Sequence, residues 1–209
     1  MMLPSRRAVN RRKKNWTRRS RRRACLSHQI WMAQEEDQTL TNRNLFHRHA
    51  PKLKGEFNVF RRVEMLTKTA KSKNAQFPHD WDFIQKKMRE AEKALLKDPY
   101  TPTPCHNDLL NLNWLDEEVA GDIGEIRLLD WEYAGMGDIF FDLGNFSHHH
   151  RLNEDQIRLF LTSYFGSFQP KHYARLRIMW PMSELHEAMW GTTQSVISTL
   201  EEDFQGYAN

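Results

Sequence analysis

The feature that most constrains the fold is a short polar stretch, CHNDLLNLNWL, at residues 105–115. Asp108 is followed five positions later by Asn113, and His106 lies two positions before it. Asp and Asn are poor helix and strand residues because their side chains bond to nearby backbone groups. The pattern therefore predicts a loop that holds polar atoms in place between apolar anchors.

Two strand-like runs, NWLDEE and EIRLLDWE, follow this loop and are joined by the turn-rich segment VAGDIG. This order predicts a β-hairpin. Because the second run carries Asp130, the residues Asp108, Asn113 and Asp130 supply three oxygen ligands within 23 residues. Mg²⁺ takes a few protein oxygens and fills its other positions with phosphate and water. The spacing favours a magnesium phosphate site, and we expect the three residues to converge on one cleft.

Composition sets the class of protein. The chain has 209 residues, of which 39% are hydrophobic and 28% charged, which suits one domain with a core. No apolar run approaches the roughly 20 residues that cross a bilayer, and no secretory signal is recognisable. Cys25 and Cys105 are too few and too isolated for a disulfide framework. We therefore predict a cytoplasmic protein with no membrane partner.

The positive charge is confined to the start of the chain. Residues 1–23 contain eleven Arg or Lys and no acidic residue, while the remainder has 20 basic against 27 acidic residues. Such a block is normally disordered and could bind nucleic acid. We do not expect a nucleic-acid partner, because no recognition motif follows. An import presequence and a non-native leader are the alternatives, and residues 24–56 are polar and irregular enough to form a linker.

Apolar periodicity predicts helices over 57–71, 80–97 and 153–166, with Asp80 as N-cap of the second. A further helix is expected over 138–150, with His148, His149 and His150 at its solvated end. Pro181 should kink or break a long helical segment over 171–203.

The motifs HNDLLNLN and LLDWEYAGMGDIFFDLGN, in this order and with a hairpin between them, resemble the choline/ethanolamine kinase and aminoglycoside phosphotransferase superfamily. The resemblance implies an α+β fold, the mainly helical C-lobe of a protein-kinase-like structure. It also implies an ATP-dependent phosphotransferase in which Asp108 is catalytic and Asn113 and Asp130 hold Mg²⁺. His106 would brace the loop, whereas Asp138 and Asp142 would cap and anchor the following helix.

The C-terminal stretch MWGTTQSVISTLEEDFQGYA resembles choline and ethanolamine kinases in particular. The resemblance assigns Tyr133, Trp190 and Tyr207 to a cage for a cationic head group. Aromatic faces attract an ammonium by roughly 0.5–2 kcal/mol per contact. Glu187 stands where choline kinases often carry a second Trp, and its carboxylate could pair with an amine directly. The implied acceptor is a small cationic alcohol such as choline or ethanolamine.

The kinase-like N-terminal β-sheet lobe, with its phosphate loop and nucleotide lysine, finds no counterpart in the sequence. We therefore expect residues 1–44 to be leader and linker and 45–209 to form a C-lobe that is either truncated or completed by a separate N-lobe chain. The nucleotide-binding residues stay unassigned. The alternatives are another small-molecule kinase, such as an aminoglycoside phosphotransferase, or a non-catalytic C-lobe that acts as a binding protein.

Overall fold

The computed structural model describes residues 46–119 and 122–208. The predictions for the basic segment and for the leader up to residue 44 concern residues outside these ranges. They stay predictions, as does that of a separate N-lobe. Two helices come first, four short strands follow, and four helices complete the order: α1 Val59–Ser72, α2 Trp81–Leu95, β1 Thr103–Cys105, β2 Trp114–Val119, β3 Asp122–Leu128, β4 Gly135–Gly137, α3 Ile139–His149, α4 Glu154–Phe165, α5 Pro170–Ile197 and α6 Phe204–Ala208. The predicted mainly helical α+β class is confirmed.

Two small antiparallel sheets position the polar loop. β2 and β3 form the predicted hairpin, with Trp114 opposite Leu128. β1 pairs with β4, and Cys105 lies opposite Gly135. The second sheet was not predicted, because three-residue strands carry too little pattern to detect. Gly135 permits it, since a Cβ there would lie 3.0 Å from the backbone oxygen of Gly55.

The core lies where α3 crosses α5, with α1 packed beside them. α3 is buried along most of its length because its sequence, IFFDLGNFSHH, is apolar on nearly every face. Gly144 allows the close crossing, since a Cβ would approach the backbone of Met179 and Trp180 to 3.0 Å. The helices predicted over 57–71, 80–97, 138–150 and 153–166 are confirmed to within two residues at each end. Asp80 precedes α2 but forms no side-chain cap bond.

The helix does not break at Pro181, because α5 runs through this residue over its whole length of 28 residues. The alternative expectation, a kink, stays a prediction. Proline removes one helical hydrogen bond, but Pro181 is exposed, so the carbonyl that loses its partner can be hydrated. Buried Met179 and Met182 on either side pack into the core and hold the helix together. None of the helices in the described ranges is long and apolar enough to span a bilayer.

The three consecutive histidines do not form a solvated helix end, so that prediction is also wrong. His150 is buried and packs on Phe146, with ring centroids 4.1 Å apart. His148 and His149 each contact a glutamate of α5. The cause is the crossing of α3 and α5, a tertiary feature that helix periodicity does not reveal.

Candidate active site

The polar loop is anchored from beneath by one buried carboxylate of α3. Asp142 is 1% exposed, and its two oxygens accept hydrogen bonds from the backbone amides of His106 (2.8 Å) and Asn107 (2.7 Å). His47 donates to the same carboxylate over 3.0 Å, and its other ring nitrogen accepts from Tyr164 at 2.6 Å. Asp142 therefore fixes the loop rather than its own helix, which the sequence interpretation did not anticipate.

Asn107 turns the chain so that the next side chain faces outward. Its φ is 63°, a left-handed conformation that Asn tolerates better than most residues. Its side-chain amide donates to the carbonyl of Tyr133 at 3.0 Å. The side chain of His106 contacts the carbonyl of Leu129 at 3.1 Å, and burial lowers the pKa of His106. The two residues thus tie the loop to the segment around Asp130.

Asp108 and Asn113 are in direct contact. The side-chain amide of Asn113 donates to the backbone carbonyl (2.8 Å) and to the carboxylate (2.9 Å) of Asp108. Both amide hydrogens are therefore used, and the amide oxygen is the atom Asn113 can offer a cation. Asn113 immediately precedes β2, and its carbonyl accepts from the backbone amide of Leu129 at 2.8 Å. Asp130 follows directly, so the hairpin brings both predicted metal ligands to one end.

The backbone at Asp130 is unusual. Its φ of 67° and ψ of 64° are left-handed, which costs a non-glycine residue energy and occurs often at functional sites. The charge of Asp130 also acts on Asp108. Burial, together with the carboxylates of Asp130 and Glu187, raises the pKa of Asp108 to about 7, although the hydrogen bond from Asn113 opposes the change. A carboxyl group tuned to neutral pH is suited to accept a proton from an alcohol.

Three of the four residues predicted to bind the acceptor, Tyr133, Glu187 and Tyr207, lie close enough to Asp108 to interact with its charge. Trp190 and Tyr207 meet edge to face, with ring centroids 5.8 Å apart. Burial raises the pKa of Tyr133. Arg62 lies 5.3 Å from the centre of the Tyr133 ring, so the chain's own cation already covers one face of that ring.

Glu187 lies at the centre of this group. Its Oε1 contacts the ring of His149 at 2.5 Å and accepts from Ser183 at 3.4 Å and Asn145 at 3.5 Å. Its Oε2 accepts from the hydroxyl of Tyr207 at 3.3 Å. Although Tyr207 is half exposed, desolvation of the phenol and the charge of Glu187 raise its pKa.

Asp138 lies near the site and makes structural contacts. Asp138 caps α3 by accepting from the amide of Phe140 at 2.9 Å and pairs with Arg175 at 2.7 Å.

His149 was not proposed as a site residue, yet its charge acts on Asp108. His149 lies on α3 and Glu187 lies on α5, so no local sequence motif could have revealed their contact. Asn107 was also missed, although an Asn directly before Asp108 was a usable signal for a left-handed turn.

The sequence model of choline/ethanolamine kinases matches residues 12–165. The chain belongs to the choline/ethanolamine kinase family. The match begins inside the segment predicted as a leader, so the boundary at residue 44 stays a prediction.

Curated relatives and a solved structure agree with this membership. The LicA homolog of Metamycoplasma hominis is 35% identical over 132 residues, which cover 62% of this chain and 49% of that protein. Ethanolamine kinase 2 of Rattus norvegicus is 31% identical over 50% of this chain and 31% of its own length. A crystal structure of a Mesorhizobium loti choline/ethanolamine kinase family protein superposes with a TM-score of 0.70 at 28% identity, covering 79% of this chain and 55% of that one.

The choline kinase LicA of Streptococcus pneumoniae, at 19% identity and a TM-score of 0.68, supports the fold alone. The match covers 82% of this chain and 59% of the LicA chain. The chain thus spans about half the length of the LicA homolog, about a third of the rat ethanolamine kinase 2 and slightly more than half of the two solved structures. The predicted protein-kinase-like fold is confirmed.

Proposed function

We propose that this chain supplies the acceptor and metal side of a kinase that transfers the γ-phosphate of ATP to the hydroxyl of a small amino alcohol, such as choline or ethanolamine. One observation carries the proposal. The carboxylate of Asp108 accepts a hydrogen bond from Asn113, and the charges of Asp130 and Glu187 help to raise its pKa. A proton acceptor, two candidate metal ligands and a cation-binding group are thereby brought together.

In this reaction Asp108 orients the acceptor hydroxyl and takes its proton. As the hydroxyl oxygen forms its bond to the γ-phosphorus, the bond between that phosphorus and the leaving ADP oxygen breaks. The anchoring of the loop by Asp142 contributes by fixing the direction of the Asp108 side chain, because positioning accounts for much of the catalysis of phosphoryl transfer.

The donor set fits Mg²⁺. Asn113 and Asp130 offer an amide oxygen and a carboxylate at one end of the hairpin, which are the hard ligands this ion prefers. Burial is the main cause of the raised pKa of Asp108, and the charge of Asp130 adds to it. A bound cation would offset that repulsion. When bound, the ion would neutralise the charge of the nucleotide phosphates.

The acceptor's ammonium would lie among Glu187, Trp190 and Tyr207. Trp190 and Tyr207 present two rings at a steep angle, 75°, which forms a corner rather than a flat stack. The carboxylate of Glu187 lies beside this corner, because it accepts a hydrogen bond from the hydroxyl of Tyr207. Such a corner combines cation–π attraction with a negative charge.

The test is phosphate transfer from labelled ATP to choline and to ethanolamine with Mg²⁺. Asp108→Asn should lower the turnover by about 10²- to 10⁴-fold, the usual contribution of a general base. Asp155→Asn removes an exposed carboxylate from the first turn of α4 and should leave turnover unchanged. Phosphorylation of an aminoglycoside but of neither amine would contradict the proposed substrate. Absence of binding of Mg-ATP and of both amines would favour a non-catalytic binding protein.

A further inference from the structure

Two neighbouring histidine–glutamate pairs join α3 to α5, and only one of them faces the site. His148 pairs with Glu184 at 2.9 Å, and Glu184 is 49% exposed. His149 pairs with Glu187 at 2.5 Å, and Glu187 is only 22% exposed. The charges of His149 and Glu187, unlike those of the other pair, are among the main influences on Asp108. The pairs are similar in chemistry but differ in surroundings.

The two oxygens of Glu187 are unequally used. Oε1 contacts three groups, the ring of His149 and the side chains of Asn145 and Ser183. Oε2 accepts from the Tyr207 hydroxyl over a long 3.3 Å. A carboxylate oxygen has two lone pairs, so Oε2 can accept at least one further hydrogen bond. The contacts at Oε1 set the orientation in which Oε2 is presented.

This unused capacity distinguishes two kinds of cation. A primary ammonium carries three N–H donors and can form a charge-assisted hydrogen bond with Oε2. A trimethylammonium has no N–H donor and keeps only the longer-range attraction to charge and rings. A quaternary head group next to Glu187 also removes water from the carboxylate without replacing its hydrogen bonds.

We propose that the His149–Glu187 pair makes this site selective for acceptors whose cation bears N–H groups, that is primary, secondary or tertiary amines, over quaternary ammonium compounds. Glu187 is the residue that contacts the ammonium, and His149 is a positioning residue that fixes it. The inference rests on the proposed function, because it refines the acceptor of that same site.

The experiment is calorimetric titration of the full chain with ethanolamine and its mono-, di- and trimethylated forms, the last being choline. The series removes N–H donors while the alcohol stays the same. Ethanolamine should bind about tenfold more tightly than choline, the size expected for one hydrogen bond to a charged group. The decisive loss should come at the last methylation, which removes the final donor.

Variants then assign the selectivity to the pair. Glu187→Gln should weaken ethanolamine binding by about tenfold and choline binding by less than about threefold. His149→Ala should reduce the preference for ethanolamine, and His149→Gln should restore most of it, because the amide again provides a donor for Oε1. Glu184→Gln, the matched control in the exposed pair, should leave all four affinities unchanged. Melting temperatures check that each variant is folded.

The outcomes separate the selectivity from the function itself. Equal affinity for all four amines, or equal weakening of all four by Glu187→Gln, would overturn the inference while leaving the amino-alcohol kinase in place. Failure of every amine to bind would overturn both. A preference for ethanolamine that survives Glu187→Gln and His149→Ala would overturn the assignment to this pair.

Discussion

The two sides of the candidate site are built differently. The anchored loop, residues 105–113, is fixed through its backbone by buried Asp142 and through Asn107 and His106 to the neighbouring segment. The proposed acceptor wall, formed by Glu187, Trp190 and Tyr207, depends on the last turns of α5 and on α6, a helix of five residues. Tyr207 is half exposed, whereas Asp142 is fully enclosed.

This difference matches the two tasks. A group that handles a proton has to be held within a fraction of an ångström, so its support lies in the core. A surface that admits and releases a small cation can rest on a short terminal helix with less buried area. Substitutions under the loop should therefore reduce stability and activity together, while substitutions under the wall should change affinity at little cost in stability.

The largest effect is expected at the anchor. Asp142→Ala removes the acceptor for two buried backbone amides and the partner of His47, so the free energy of unfolding should fall by about 3–5 kcal/mol. Urea denaturation measures this loss, and phosphate transfer should disappear with it. Asp155→Ala, at an exposed position, serves as the control. A loss below about 1 kcal/mol would show that the loop is held by other contacts.

An intermediate effect is expected at His186, on the buried side of α5. Its ring packs against Phe57 and Tyr133, and burial, aided by the charge of Arg62, lowers its pKa to about 4. Because the unfolded chain binds a proton more readily, His186 contributes stability that is full above pH 6.5 and is lost as the pH falls toward 4. Native protein should lose about 2–3 kcal/mol over this interval from this group.

The measurement is denaturant unfolding of the native protein and of His186→Leu from pH 7 to pH 4. The variant should show a flatter dependence on pH, since leucine has no proton to gain. Parallel curves for the two proteins would mean that His186 is protonated equally in the folded and unfolded states.

The smallest effect on stability is expected at Gly191, where α6 docks. A Cβ there would lie 3.0 Å from the carbonyl oxygen of Phe204 and from the ring of Tyr207. Gly191→Ala should push α6 outward, lowering stability by about 1 kcal/mol or less but weakening amine binding about three- to tenfold. At Gly55 an added Cβ meets only ordinary contact, so Gly55→Ala is the matched control. Unchanged amine affinity in Gly191→Ala would remove Tyr207 from the acceptor wall.

The sequence predicted those parts of the molecule whose signal is local. The hairpin beginning after Asn113 and ending before Asp130 follows from turn residues and strand runs, and it accounts for the meeting of the two ligands. The face of α4 that carries Ile157 and Phe160 follows from helical spacing, and both residues are buried.

The remaining contacts depend on tertiary packing. Asp142 and His106 are 36 residues apart and meet because α3 passes beneath the loop. The pairing of His149 with Glu187 requires the crossing of α3 and α5, and three adjacent histidines indicated only a polar helix end. Pro181 was expected to kink or break α5 because propensity describes an isolated helix. The helix does not break, since buried side chains on both sides of the proline hold it.

The burial of Cys105 gives the loop a built-in chemical reporter. The thiol begins the loop at 0% exposure, and burial raises its pKa, so thiolate-directed reagents should reach it only when β1 separates from β4. In a chain carrying Cys25→Ser, the rate of maleimide labelling at Cys105 would count these openings directly. Slower labelling in the presence of Mg-ATP would then show that a bound nucleotide reduces the opening of the loop, in addition to the hydrogen bonds that Asp142 makes with the loop backbone.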